Sequence, residues 1–159
     1  MSSFDILSLI CAIGCGMVAG VFFAFSTSVM KALAKLPAEH GIAAMQGINA
    51  LIINPLFLGI FLGTAIACAL MLLACLLRYE LPGRLMAVSA AAVYIVGSFL
   101  VTMLFNVPRN NMLARLIPTS SEAATVWKEY VAGWTAWNHV RTFAALAAAV
   151  LFMLATFRS

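Results

Sequence analysis

The stretch Trp134-Thr135-Ala136-Trp137-Asn138-His139-Val140-Arg141-Thr142 runs directly into the fifteen residues Phe143 to Phe157, which are apolar apart from Thr156. At ~1.5 Å per residue the apolar run covers ~22 Å, short of a hydrocarbon core that is ~30 Å thick. A spanning helix must therefore borrow Trp137 to Thr142. Asn138, His139 and Arg141 are thereby drawn to the membrane edge or inside it, where unpaired polar groups are costly and mark a site.

Three more apolar stretches, about 4–30, 55–77 and 85–105, reach or exceed the ~20 residues a span needs, and the borrowed fourth covers about 137–157. Composition agrees, with 65% of the 159 residues hydrophobic, 9% charged and a mean hydropathy of +1.08. An average soluble domain carries roughly 25% charge. The expected fold is all-α: a single integral membrane domain over residues 1–159, built as a four-helix transmembrane bundle with extra interfacial helices at one end. The first run is expected to stay in place, because Asp5 stands where a signal peptide carries basic residues and the run exceeds a signal h-region.

The formal charge of +4 comes from lysines and arginines scattered near helix ends. That distribution gives no basic face for nucleic acid and reads as a topology signal. Counting all of them places the two long loops inside and both termini outside, a margin that narrows to four against three without Arg109 and Arg141. The lipid bilayer and a hydrophobic small molecule are the expected partners. Cys11, Cys15, Cys68 and Cys75 all fall in apolar spans without a Cys-x-x-Cys pair, and read as packing residues.

The second and third spans are joined by the short link Arg78 to Arg84, whereas the two other connections are long and share the opposite end. Between Pro37 and Pro55 a helical segment puts Ile42, Met45, Ile52 and Ile53 on one face, so it lies in the interface or caps the bundle. Asn49 projects from that face, either as an amide that satisfies a helix end or as a site group. Asn54-Pro55 has the form of a helix cap. The other long loop opens at Asn106-Val107-Pro108-Arg109-Asn110-Asn111; Thr119 with Glu122 forms a capping box, and Gly133 is a stop, which predicts a separate helix from about Ser120 to Ala132. Gly16-x-x-x-Gly20 and Gly59-x-x-x-Gly63 are small-residue faces on which helices approach closely, within the chain or as a homo-oligomer.

Polar residues converge at the loop-rich end: Ser26 to Ser28, Asn49, Asn106, and the Asn138, His139, Arg141 group. At ~100° per residue Trp134, Trp137, Asn138 and Arg141 share one helical face, and His139 points about 100° away from Asn138. His139 has three readings: a structural imidazole, an acid/base group, or a metal ligand with His40 and the nearby carboxylates. No metal site is expected. No phosphate-binding loop, dinucleotide fingerprint, nucleophile elbow or zinc motif is present, which excludes nucleotide-driven and hydrolytic chemistry of those types.

The segments Gly20-Val21-Phe22-Phe23-Ala24-Phe25-Ser26, Ala44-Met45-Gln46-Gly47-Ile48-Asn49, Asn54-Pro55-Leu56-Phe57, Asn106-Val107-Pro108 with Asn110, and Trp134 through Trp137-Asn138-His139-Val140-Arg141-Thr142 resemble the anthrone-oxygenase-like membrane family, much of it an uncharacterised bacterial domain. Arg109 departs from the family pattern, where an apolar residue is expected. The resemblance implies a bacterial inner-membrane protein with a membrane oxygenase fold and no obvious organic cofactor. The fungal members it resembles oxidise anthrones to anthraquinones with molecular oxygen. By that resemblance His139, Arg141 and Asn138 are the catalytic candidates, with His139 as base, and Asn49, Asn106, Asn110, Trp134 and Trp137 the substrate-binding ones. The expected function is an oxygenase or oxidoreductase acting on a hydrophobic phenolic, anthrone-like or quinol-like substrate. A membrane accessory or assembly subunit is the alternative; a small-molecule transporter would need a polar path that the apolar middle turns of the second and third spans do not offer.

Overall fold

A computed structural model describes residues 2–78, 80 and 83–158. Five helices carry the fold: α1 (Ser3–Leu33), α2 (Ala38–Leu51), α3 (Pro55–Leu77), α4 (Arg84–Arg115) and α5 (Ala123–Thr156). All but α2 are long and apolar enough to cross a membrane, and no strand occurs among the described residues. Of the link between α3 and α4, Tyr79, Leu81 and Pro82 lie outside the described residues.

Local chemistry sets the helix starts. Ser2 and Asp5 make a reciprocal capping box at α1, with the Asp5 N–H donating to Ser2 Oγ at 3.2 Å and the Ser2 N–H to Asp5 Oδ2 at 2.7 Å. Asn54 caps α3 by accepting from the Phe57 N–H at 3.0 Å, with Pro55 in the first turn. Gly83 precedes α4 at φ +72°, and a Cβ there would stand 2.5 Å from the Ala155 carbonyl oxygen, so only glycine turns the chain into α4 against the end of α5.

The long helices pack in a closed ring: α1 on α3 and α5, α4 on α3 and α5. The membrane half of the core is built from small or slender side chains, including Cys11, Cys15, Cys68, Met71, Ala90 and Ala148, around the buried Tyr94 and Phe152. A second apolar cluster of Met30, Ile42, Met45, Leu113, Trp127 and Tyr130 roofs the loop-rich end. By register, the buried polar residues Ser26, Thr102, Asn106, Asn138 and Arg141 fall between the two clusters.

Three expectations are corrected. No separate helix begins near Ser120: α5 runs unbroken through Gly133 for 34 residues, and Glu122 makes no side-chain cap. Gly133 leaves room for the Arg109 side chain, whose Nε would lie 3.0 Å from a Cβ at that position, so its role is clearance within the helix. The Asn106-Val107-Pro108 segment does not open a loop; α4 continues to Arg115, and the π turn Thr102–Asn106 immediately before Pro108 shifts the hydrogen-bond register so that the missing N–H is tolerated. On α2, Ile42 and Met45 are buried as expected, but the helix ends at Leu51 and Ile53 is exposed.

The two glycine pairs face outward, with nothing within 4 Å of a Cβ at Gly16, Gly20, Gly59 or Gly63. The close crossing of α1 and α3 is made at Gly14, where a Cβ would collide with Thr64 Oγ1. Gly14→Leu is therefore expected to destabilise the detergent-solubilised protein by about 1–3 kcal/mol, read as a lowered melting temperature, while Gly16→Leu stays within about 0.5 kcal/mol of the parent. The opposite order would contradict this packing.

Candidate functional site

Helix α5 carries Trp134, Asn138 and Arg141 inward on one face, and all three side chains are buried. Asn138 is fully used: its Nδ2 donates to the Phe22 carbonyl at 2.7 Å and to the Ser26 hydroxyl, and its Oδ1 accepts from Arg141 Nε at 2.8 Å. Both amide protons are taken by α1, which fixes the flip state and leaves the oxygen for the guanidinium. Arg141 Nη1 donates to Thr102 Oγ1 at 3.3 Å, and that hydroxyl donates to the Ser98 carbonyl at 2.7 Å. The guanidinium carbon lies 3.8 Å from the Phe22 ring centroid and 4.9 Å from that of Trp134, positions at which aromatic faces attract a cation.

Three π turns coincide with this polar layer: Phe25–Val29 holds Ser26, Ile95–Leu100 holds Ser98, and Thr102–Asn106 holds Thr102 and Asn106. Such turns widen a helix and free carbonyls for other donors, and they recur at functional sites.

Arg141 forms part of the wall of a cavity of about 510 Å³ at the loop-rich end, shared by α1, α2, α3, α4 and α5. Its other walls are mainly aromatic and aliphatic, among them Phe22, Phe25, Met45, Phe57, Phe61 and Trp134, with polar contributions from Gln46, Asn49, Thr102, Asn110 and Asn111. No carboxylate pairs with Arg141 among the described residues, where the ion pair of Glu39 with His40 is on the surface. A guanidinium has five N–H donors, and those not given to Asn138 and Thr102 have no acceptor among the described residues. Asn110 faces the same cavity with its amide oriented: Oδ1 accepts from Tyr130 Oη at 2.9 Å and Trp134 Nε1 at 2.8 Å, so its NH₂ group is left as the donor. Asn49 Nδ2 is buried beside the cavity with no hydrogen-bond partner among the described residues.

Arg141, Asn49, Asn110 and Trp134 are thus brought to one cavity. Asn138 and Asn106 stand behind it. Asn138 acts through Arg141, while Asn106 Nδ2 donates to the Trp134 carbonyl at 3.2 Å. Trp137 is turned away and stacks on Phe105 with centroids 3.7 Å apart. His139 is exposed on the outer surface, its ring 6.4 Å from that of Phe143 and about 100° around the helix from Asn138. Neither His139 nor Trp137 lines this cavity. Thr102 and Phe22 were missed by sequence reasoning. Phe22 carried no signal, because an aromatic within an apolar span looks like packing; the Ser98/Thr102 hydroxyl pair spaced one turn apart was the available one.

Arg141→Met is expected to leave the melting temperature unchanged or raise it, because it removes a desolvated charge that no carboxylate pairs. Asn138→Leu is expected to lower stability by about 1–3 kcal/mol, because it orphans the guanidinium and the α1 groups together. A collapse of folding in Arg141→Met would make the arginine a structural element.

The family model for anthrone oxygenase matches residues 55–151, more than half of the chain. Thr102, Asn110, Trp134, Asn138 and Arg141 lie inside the matched region, and Phe22, Ser26 and Asn49 outside it. No curated protein and no solved structure matches the chain. With the matched helices supplying the arginine and most of its surroundings, the chain belongs to the anthrone oxygenase family.

Proposed function

We propose that this protein is a membrane oxygenase that holds a planar phenolic or anthrone-like substrate in the loop-end cavity as its anion and lets that anion react with molecular oxygen. The observation that carries the reading is Arg141: a buried cation with free donors and no counter-charge among the described residues, on the wall of a mainly apolar, aromatic-rich cavity. A protein that needed only to fold would be served as well by an apolar side chain there. A protein that binds an oxyanion is served by a preorganised donor in a water-poor site.

An anthrone carries an acidic CH₂ conjugated to a ring carbonyl. When a proton leaves to water at the polar rim of Gln46 and Asn111, the negative charge delocalises onto the carbonyl oxygen, which Arg141 and the Asn110 amide would hold. The carbanion forms a C–O bond to oxygen, giving a peroxide that takes up one proton. Loss of the remaining C–H proton with cleavage of the O–O bond expels hydroxide and leaves a second carbonyl. The sum is CH₂ + O₂ → C=O + H₂O, with both electron pairs supplied by the substrate. Phe22, Phe25 and Trp134 supply flat apolar surface for the ring system.

Purified protein is expected to consume oxygen on addition of an anthrone, in equimolar ratio to quinone formed. Removing an oxyanion donor typically costs ~10²–10³-fold in rate, so Arg141→Met is expected to lose most of the activity while staying folded. His139→Ala, outside the cavity, should retain it. Absence of oxygen uptake with folded parent protein, or a loss in His139→Ala equal to that in Arg141→Met, would overturn this reading.

A further inference from the structure

The loop-end cavity is partly covered by α2 and also reaches the side of the bundle. Helix α2 lies over the cavity and packs on the last turns of α4 and on α5. Gln46 locks it there, its Nε2 donating to the Leu113 carbonyl at 2.8 Å and the Leu116 carbonyl at 2.9 Å. Beneath this contact Ile42, Met45 and Leu113 are completely buried. The other boundary is different. Helices α3 and α4 leave their short link packed together as far as the π turn Ile95–Leu100, and the next segments of α4 pack mainly on α5 and α2. Two successive π turns on α4 supply the physical cause, since each changes the helix register and bends its course. The cavity reaches the gap, where its lining includes Leu58 and Leu62 of α3 and Met103 of α4. Leu62 is 42% and Met103 45% exposed although both line the cavity, so they stand at its rim.

We infer that the slot between α3 and α4, with Leu62 and Met103 as its jambs, is the opening through which a neutral, planar aromatic substrate passes from the lipid phase into the cavity. This rests on the reading of the cavity as the substrate site and adds the route and the charge state of the incoming molecule. An apolar rim facing hydrocarbon admits a lipid-dissolved aromatic without stripping water from any polar group. A charged molecule would have to cross that rim without its hydration shell. The substrate therefore arrives neutral and meets Arg141 only inside.

The test uses the full chain in lipid nanodiscs with Trp127→Phe and Trp137→Phe, which leaves Trp134 as the single reporter. Trp134 is 3% exposed, so a quencher in the bilayer must enter the cavity to reach it. Anthraquinone delivered in the lipid is expected to quench Trp134 saturably, and its water-soluble monosulfonate is expected not to, although its anionic charge would suit Arg141. Leu62→Phe with Met103→Phe narrows the slot and is expected to slow the onset of quenching by roughly tenfold or more with the same final extent. Equal or faster quenching by the sulfonate, or an onset unchanged in the double variant, overturns the lateral route. If that variant does not fold, the comparison of the two quinones on the parent decides alone. Quenching by neither probe removes the cavity as a binding site and the proposed function with it. Lateral quenching without oxygen uptake keeps the route and removes only the oxygenase chemistry.

Discussion

The bond from Arg141 Nε to Asn138 Oδ1, 2.8 Å long, is the contact that fixes where the buried cation points, and the chemistry of the loop-end cavity depends on it. An ionised guanidinium taken out of water loses several kcal/mol of hydration, and nothing here returns it through a carboxylate. The compensation is distributed instead: a neutral amide whose two protons are tied to α1, a hydroxyl on α4, and two aromatic faces. The partners come from α5 itself, from α1 and from α4, so the arginine's surroundings are complete only when those three helices have packed. The arrangement orients the cation without neutralising it.

Why the helices are irregular at this level follows from the same requirement. An ideal helix keeps its carbonyls for its own N–H groups, and in a membrane interior there is no water to serve any group that is diverted. The π turns on α1 and α4 change that local accounting: the Phe22 carbonyl is available to Asn138, and the chain passes Pro108 without breaking. They also carry α4 away from α3, which opens the cavity at the height where the polar layer lies. A straight α4 packed on α3 along its whole length would bury Arg141 without access. Small core residues below and a wide aromatic cluster above hold the layer between them.

Much of this was legible in the sequence, and the illegible part has identifiable causes. The span lengths, the short link at Arg78 to Arg84 and the Asn54-Pro55 cap carry strong local signals, so the four long helices and the polar end follow from hydropathy and turn chemistry. The ~100° periodicity placed Trp134, Asn138 and Arg141 on one inward face and turned His139 off it; the direction was readable although the role given to His139 was not supported by where it points. Trp137 shares that stripe by angle but stacks on Phe105 at its edge. The unbroken α5 was hidden because Gly133 normally ends a helix, and its reason, the Arg109 side chain crossing it, is a contact with α4 that no local pattern encodes. Thr102 was hidden for a similar reason: one hydroxyl in an apolar span is usually satisfied by its own helix, as its bond to the Ser98 carbonyl shows, and only the fold reveals that it also accepts from Arg141.

The central claim is that Arg141 is a cation oriented but not neutralised by the protein and kept for an anionic ligand, and the most direct measurement of it is the ionisation of a bound phenol. A hydroxyanthraquinone changes colour when its phenol loses a proton, so its titration can be followed in the cavity by absorption. Burial alone disfavours the phenolate and raises the pH at which it forms, whereas a nearby fixed cation lowers it. The account predicts that the bound dye ionises at lower pH in the parent protein than in the same detergent without protein, and that Arg141→Met reverses the shift. An unchanged or raised ionisation pH in the folded parent protein, with the dye shown to be bound, would contradict it.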